Sequence, residues 1–325
     1  MVVRDKIDGL QQWVKHIFAE KQIETTSKRC AIHFTSSDII LVHIDKNQTN
    51  IECIFSEIIP YQETNMIPTL LTRLADKYHL RAIPTYWLLS LDDYQLFLID
   101  SLPVEPTEFN DALNWRVKSL ITYPLDEAII DYFKLPPKKG SLTNNPMIGA
   151  VTAKMNTLKK ISQSIKSSGF PITVIDIPEF ALRNLSALYE TNDKSMAFIC
   201  FFKKEAILNI TRQKKLYFTR RMTLPPLHER KDSDYEQISL DILRYFDYYQ
   251  SQWRYPSPNH IFITSETNNV IEIAKILADH LLLTVQPFTL NPSMISGDID
   301  NFNESKILLA LGSALREDEH AKTEH

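Results

Sequence analysis

Glycine is the residue that this sequence lacks most. The chain has 6 glycines in 325 residues, whereas glycine makes up roughly 7% of an average protein. No two glycines are neighbours, and neither GxGxxG nor GxxxxGK occurs. Glycine-rich loops bind phosphate because their backbone N–H groups approach it closely, often at positive φ. The sequence therefore excludes the common glycine-rich nucleotide-binding loops.

Cysteine and metal-binding patterns are also scarce. The three cysteines, Cys30, Cys53 and Cys200, are far apart and each lies in an apolar run. This distribution favours buried free thiols over a disulfide or zinc framework. The nine histidines form no HxxxH pair, and we interpret His33 and His43, in adjacent predicted strands, as structural. The sequence predicts no metal site.

Long apolar runs and excess positive charge are absent as well. No apolar run approaches the ~18 residues that span a bilayer. The N-terminal segment includes Asp5 and has no continuous apolar core, so it is not predicted to be a signal peptide. A net charge of −4 argues against binding to nucleic acid, which needs a basic surface. We expect a cytoplasmic protein.

What the sequence does contain is one order of elements that occurs twice. Three β-rich runs, a helix, a strand and a second helix begin near residue 28, and the same order begins again near residue 195. Helices are predicted from apolar residues at helical spacing, and strands from β-branched and aromatic runs. A duplicated unit of this kind predicts a two-lobed α/β fold.

The stretch Glu105–Pro136 is predicted to join the two halves. Apolar residues at helical spacing from Phe109 to Ile121 predict a helix, and Pro124 ends it because proline disfavours helical geometry in the residue before it. The run Ala128–Phe133 then predicts a strand. We therefore predict an N-terminal helix (1–27), a first lobe (28–123), an inserted subdomain (124–177), a second lobe with a connecting and a C-terminal helix (178–316), and a charged tail (317–325).

Four segments resemble the actin-like type IV pilus assembly protein PilM family, and more closely the MshI proteins of mannose-sensitive-haemagglutinin (MSHA)-type pili. The segments are NWRVKSLITYPLDEAIIDYF, GFPITVIDIPEFALRNL, KLYFTRRM and LLALGSALR. Their order and spacing carry the resemblance, which spans about residues 30–316. It implies an actin-like, duplicated RNase H-like fold with an inserted subdomain.

The nucleotide site that the resemblance implies is altered at three places. Actin-like ATPases hold nucleotide with two Asp/Gly hairpin turns and a Gly-Gly turn, since aspartates position magnesium and glycines admit phosphate. Here the three places carry His33 and Thr35, then Cys200 and Phe202, then Ser265 and Glu266. We expect a degenerate cleft without catalytic residues or a bound cofactor. The alternative is an ATP-binding protein with unconventional ligands.

The resemblance also implies partners. In the family, the cytoplasmic N-terminal peptide of a PilN-like bitopic membrane protein lies in a groove between the first lobe and the inserted subdomain. Our predicted groove residues are Trp115, Tyr123, Pro124 and Asp131. We expect a non-catalytic scaffold that is peripheral at the inner membrane through PilN-like and other platform proteins.

Two further points stay open in the sequence. One alternative is the cytoplasmic actin-like component of a type II secretion system, although such domains normally continue into a membrane span and this chain ends at His325. The other point is a basic run in the hairpin Lys203–Arg221, with seven cations against Glu205. It could face anionic lipid or an acidic partner, but lysines also commonly protect hairpin edges, and we favour the second interpretation.

Overall fold

The computed structural model describes residues 27–317, except 48–49, 141–145, 191–192, 227–228, 267–268, 293–294, 298–301 and 303–304. The predicted helix over 1–27 and the tail after residue 317 lie outside the described residues. Within the described ranges, no helix is long and apolar enough to cross a bilayer. The same ranges contain no cluster of metal-ligating side chains, and the three cysteines are buried free thiols.

The described residues form strands and helices as follows. The strands are β1 (Lys28–Phe34), β2 (Asp38–Lys46), β3 (Ile51–Pro60), β4 (Thr85–Leu88), β5 (Tyr94–Ile99), β6 (Ala128–Lys134), β7 (Ile148–Lys154), β8 (Ile172–Asp176), β9 (Met196–Phe201), β10 (Glu205–Arg212), β11 (Lys215–Thr223), β12 (His260–Ser265), β13 (Thr284–Pro287) and β14 (Ile295–Gly297). The helices are α1 (Ile67–Lys77), α2 (Phe109–Lys118), α3 (Met155–Ser167), α4 (Pro178–Ser186), α5 (Asp232–Trp253), α6 (Val270–Leu281) and α7 (Ser305–Ala314).

The first lobe is a six-stranded sheet with α1 and α3 packed against it. The strand order is β14-β3-β2-β1-β4-β8, with β1 antiparallel to β2 and parallel to β4. Apolar residues one helical turn apart, such as Leu71 and Leu74 on α1, face the same core as Leu158 and Ile165 on α3. The amphipathic spacing read from the sequence thus directs both helices onto the sheet.

The second lobe repeats this arrangement. Its strand order is β11-β10-β9-β12-β13, with β9 antiparallel to β10 and parallel to β12. Helices α5 and α6 cover one face through residues such as Ile242, Phe246 and Leu277. The sequence of three antiparallel strands followed by helix–strand–helix–strand therefore occurs in both lobes.

The inserted subdomain is a three-stranded antiparallel sheet in the order β5-β7-β6, with α2 on one face. Its extent differs from the predicted range of 124–177. Strand β5 and helix α2 belong to this unit, and β8 instead pairs with β4 in the first sheet. The cause is local: Ser90 and Asp93 cap each other's backbone, which divides the apolar run after Pro84 into two strands. The second helix of the first repeat is thus α3 and not α2.

Two helices, α4 and α7, lie in the core between the lobes. They approach closely at Gly312, where a Cβ atom would lie 2.8 Å from the carbonyl carbon of Ala181 and closer still to its oxygen. After the second lobe the chain returns to the first sheet as β14, parallel to β3. The prediction assigned these residues to the second lobe (178–316), because three residues are too few to show an alternating pattern.

Candidate functional site

The first turn of the cleft, between β1 and β2, satisfies its own backbone. The Thr35 N–H donates to the Asp38 carbonyl at 2.9 Å, and the Thr35 hydroxyl accepts the Asp38 N–H at 2.9 Å. The Tyr61 hydroxyl donates to the Thr35 carbonyl at 2.6 Å. His33 points into the protein, with Nδ1 3.2 Å from the Leu88 carbonyl oxygen, and burial lowers its pKa to about 4. The turn thus offers few free N–H groups to a phosphate.

The second turn, between β9 and β10, is filled by side chains. The Phe202 ring is 7% exposed and packs into the core between the lobes, and its N–H donates to the Glu205 carbonyl at 2.8 Å. The Arg230 guanidinium donates to the carbonyls of Phe202 and Lys203 at 2.7 and 3.0 Å. Burial raises the pKa of the neighbouring Cys200 thiol. A bulky ring and a guanidinium therefore occupy the turn.

The third place is the end of β12. Ser265 is buried, and the Glu266 N–H donates to the Phe201 carbonyl at 3.0 Å. Burial raises the pKa of Glu266 to about 7, against the opposing effect of Lys203 and Lys306. Because Lys203 belongs to the second turn and Lys306 to α7, these interactions place Glu266 near both.

Contacts between the lobes close the cleft at these turns. The Lys203 ammonium, from the second turn, donates to the Ser36 hydroxyl of the first turn at 2.9 Å. The Lys306 ammonium, from α7, lies 3.3 Å from the Asp38 carboxylate. Burial alone would raise the pKa of Asp38, but hydrogen bonds from Ser37 and Lys306 lower it. The structure therefore brings together all three predicted places of the degenerate cleft.

Three residues of this cluster were missed from the sequence. Asp38 begins an apolar β-rich run, and Arg230 and Lys306 lie in segments without a motif. Lys306 is 268 positions from Asp38, so no local spacing could have joined them. A signal did exist for Lys203, which begins the basic hairpin Lys203–Arg221 and directly follows Phe202.

The four predicted groove residues do not share one surface. Trp115 is 72% exposed on α2, on the helix side opposite Leu113 and Val117, which are buried. The Lys118 ammonium lies 5.0 Å from the centre of the Trp115 ring. Trp115 therefore faces away from the subdomain sheet.

Tyr123 and Pro124 lie near the junction of the subdomain with the first lobe. The Tyr123 hydroxyl donates to Thr152 Oγ1 at 3.1 Å, and the Lys154 ammonium lies 5.5 Å from the Tyr123 ring centre. Lys154 ends β7 immediately before α3 of the first lobe begins. Asp131 pairs with Val151, one position from the pair that contains Thr152. Since neighbours along a strand point to opposite faces, Asp131 faces the other side of the sheet.

The basic hairpin does not form one continuous patch. The Arg221 guanidinium is directed inward, 3.3 Å from the fully buried Glu179 carboxylate, which also accepts a hydrogen bond from the Tyr94 hydroxyl. Arg212 lies over the Tyr255 ring at 4.3 Å. The most exposed cations of the edge strand β11 are Lys215 and Arg220. The cations thus serve several separate contacts.

The arrangement of lobes, insertion and central helices is also found in solved structures. Comparisons with protein-family models and with curated proteins find no match to the sequence. A structure described as the PilM-PilN type IV pilus biogenesis complex matches with a TM-score of 0.70, over 89% of this chain and 98% of that one, at 17% identity.

The fold is PilM-like. The cytoplasmic domain of EpsL, an inner-membrane component of the type II secretion system of Vibrio cholerae, matches with a TM-score of 0.55 at 12% identity, over 90% of this chain and 96% of that domain. The expected actin-like α/β fold is thereby confirmed. Identities this low establish the fold, and the function requires its own argument.

Proposed function

We propose that this chain is a non-catalytic, cytoplasmic scaffold of a type IV pilus machine of the MSHA type. It binds the cytoplasmic N-terminal peptide of a PilN-like protein and is peripheral at the inner membrane through that protein and other platform proteins. The observation that carries the proposal is the PilM-like fold, which extends over 98% of the chain in the PilM–PilN structure.

The filled cleft supports a scaffold without ATPase activity. In the second turn, a phosphate would have to approach beside the buried Phe202 ring, and the Arg230 guanidinium there already donates to the turn carbonyls. Calorimetric titration with ATP and magnesium is therefore expected to give no saturable heat. Saturable binding would favour the alternative, an ATP-binding protein with unconventional ligands.

The junction beside Tyr123 is the best-supported position for the peptide. Tyr123 is half-buried, and Pro124 and Lys154 are exposed next to it, where β7 passes into α3. An extended peptide there would contact both the inserted subdomain and the first lobe. Trp115 lies on the outer face of α2 and offers a matched control on the same subdomain.

Fluorescence anisotropy with a labelled N-terminal peptide of the PilN-like partner tests this position. Tyr123→Ala and the charge reversal Lys154→Glu are expected to weaken binding by about tenfold or more, the range of an interface hot spot. Trp115→Ala should leave the affinity unchanged, and circular dichroism should verify that each variant folds. Weakening by Trp115→Ala alone would place the peptide on α2, and no binding by the unmodified protein at high micromolar peptide would contradict the scaffold proposal.

A component of a type II secretion system is the second candidate, because the EpsL cytoplasmic domain matches over 96% of its length. The two functions differ in their membrane partner. Parallel titrations with N-terminal peptides of pilus and of secretion-system membrane proteins separate them, since only one class should bind in the micromolar range.

A further inference from the structure

One cluster of side chains crosses the cleft at the position of the altered turns. Ser36 and Asp38 belong to the first turn, Lys203 to the second, Glu266 to the end of β12, and Lys306 to α7. Lys203 contacts Ser36 at 2.9 Å and Lys306 contacts Asp38 at 3.3 Å. We propose that these five side chains form a latch that holds the two lobes closed across the cleft without a nucleotide.

The latch joins three parts of the fold that a hinge motion would separate. The contact between Lys203 and Ser36 links the tips of hairpins from different lobes. Lys306 ties the central helix to the first of these hairpins. Below them, Phe202 and Cys200 pack into the core that both lobes share. Because these contacts join the protein's own side chains, the closed state needs no ligand. The first and second turns agree with this, since their backbone groups are already hydrogen-bonded within the protein.

Glu266 makes the latch sensitive to pH. It is surrounded by Lys203 from the second turn, Lys306 from α7, Asp38 from the first turn and the thiol of Cys200 on β9. Burial raises its pKa from 4.5 to about 7, and opening of the cleft would expose the carboxyl to water. The closed state then binds the proton more tightly than the open state, so acidification favours closure. The equilibrium constant for opening should rise toward tenfold per pH unit between about 4.5 and 7 and then level off.

Thiol labelling of the whole protein measures the opening. Cys200 is 1% exposed, lies in the core shared by both lobes and becomes accessible when the lobes separate. Cys30, on β1, lies in the separate core of the first lobe and reports on opening of that lobe itself. Peptide mass spectrometry after a labelling pulse gives the rate at each cysteine. Lys203→Ala should speed Cys200 labelling about two- to fivefold, the range for loss of one exposed hydrogen bond, with Cys30 unchanged. Lys204→Ala, the exposed neighbour in the same turn, is the matched control and should change neither rate.

Glu266→Gln tests the proton linkage. The neutral amide keeps the shape of the protonated acid, so the ratio of Cys200 labelling between wild type and the variant should rise with pH up to about 7. Using the ratio cancels the intrinsic pH dependence of thiol chemistry. Equal effects of Lys203→Ala and Lys204→Ala, a parallel rise at Cys30, or a ratio that is constant with pH would each overturn the latch. None of these results depends on peptide binding, so the latch and the proposed function can fail separately.

Discussion

Replacement of Gly312 by alanine tests how α4 and α7 hold the lobes together. Alanine in a helix interior is normally about 1 kcal/mol more favourable than glycine, so propensity alone predicts a more stable protein. The structure predicts the opposite sign. The added Cβ would lie 2.8 Å from the Ala181 carbonyl carbon, whereas carbon atoms prefer about 3.5–4.0 Å. The obstacle is the backbone of α4, which cannot rotate away as a side chain can.

The size of the effect follows from these distances. The two helices must separate by more than half an ångström, and overpacking of a filled core costs about 1–3 kcal/mol. Separation also lengthens the 2.8 Å hydrogen bond from Asn184 Nδ2 to the Gly312 carbonyl, worth about 1 kcal/mol. After the gain in propensity, we expect Gly312→Ala to lose about 1–3 kcal/mol.

Thermal unfolding followed by circular dichroism measures this loss, with an expected fall in Tm of several degrees. Ser313→Ala is the matched control in the next position of α7. The Ser313 hydroxyl is buried without a hydrogen-bond partner, so its removal should leave the Tm equal or higher. A Gly312→Ala protein as stable as wild type would refute the close approach of the two helices.

Three other predictions follow from buried or strained groups. Leu282→Gly should raise the free energy of unfolding, measured with urea, by about 1 kcal/mol. Leu282 is 89% exposed and adopts φ 54° after α6, a left-handed conformation that glycine adopts without strain. Tyr94→Phe should cost about 1.5–3 kcal/mol in the same assay, since it removes a donor from the buried carboxylate on α4. The Tm should fall as the pH is lowered from 6.5 to 4.5. Burial lowers the pKa of His33 and His43 to about 4, so the folded state binds two fewer protons than the unfolded state. Glu266, whose pKa is raised by burial, offsets only one of these protons.

The order of elements could be predicted because each element shows its own period. Strand β9 is apolar throughout and β1 is buried from Cys30 to Phe34, since layers cover both faces of each strand. Helices such as α1 and α6 instead carry one apolar stripe. The domain boundaries were predicted wrongly where strand pairing, and not the period of the sequence, decides which sheet a strand joins. Whether β5 and β8 belong to the insertion or to the first lobe depends on partners far away in the chain, and β14 is too short to show a pattern.

The cleft shows the same division between local and long-range information. Phe202 and Glu266 could be found because they stand where the family resemblance implies nucleotide-binding turns. Their roles could not be predicted, because these depend on Lys306 and Arg230, which the fold brings from elsewhere. The groove prediction suffered in the same way: Trp115 and Tyr123 are eight residues apart, and only the packing of α2 shows that Trp115 faces outward.

The scarcity of glycine has two separate meanings in this protein. Among the described residues, six left-handed positions are occupied by side chains that lack glycine's freedom: His79, Asp193, Gln213, Lys214, Arg254 and Leu282. Glycine is kept where a Cβ would collide with backbone, as at Gly297 against Cys53 and at Gly312 against Ala181. A chain that tolerates strained turns elsewhere could have done so in a nucleotide site too, so a low glycine count alone does not argue against phosphate binding. The stronger argument is that the second turn is already occupied. The Phe202 ring packs into the core there, the Arg230 guanidinium donates to the turn backbone, and Lys203 donates to Ser36 across the cleft.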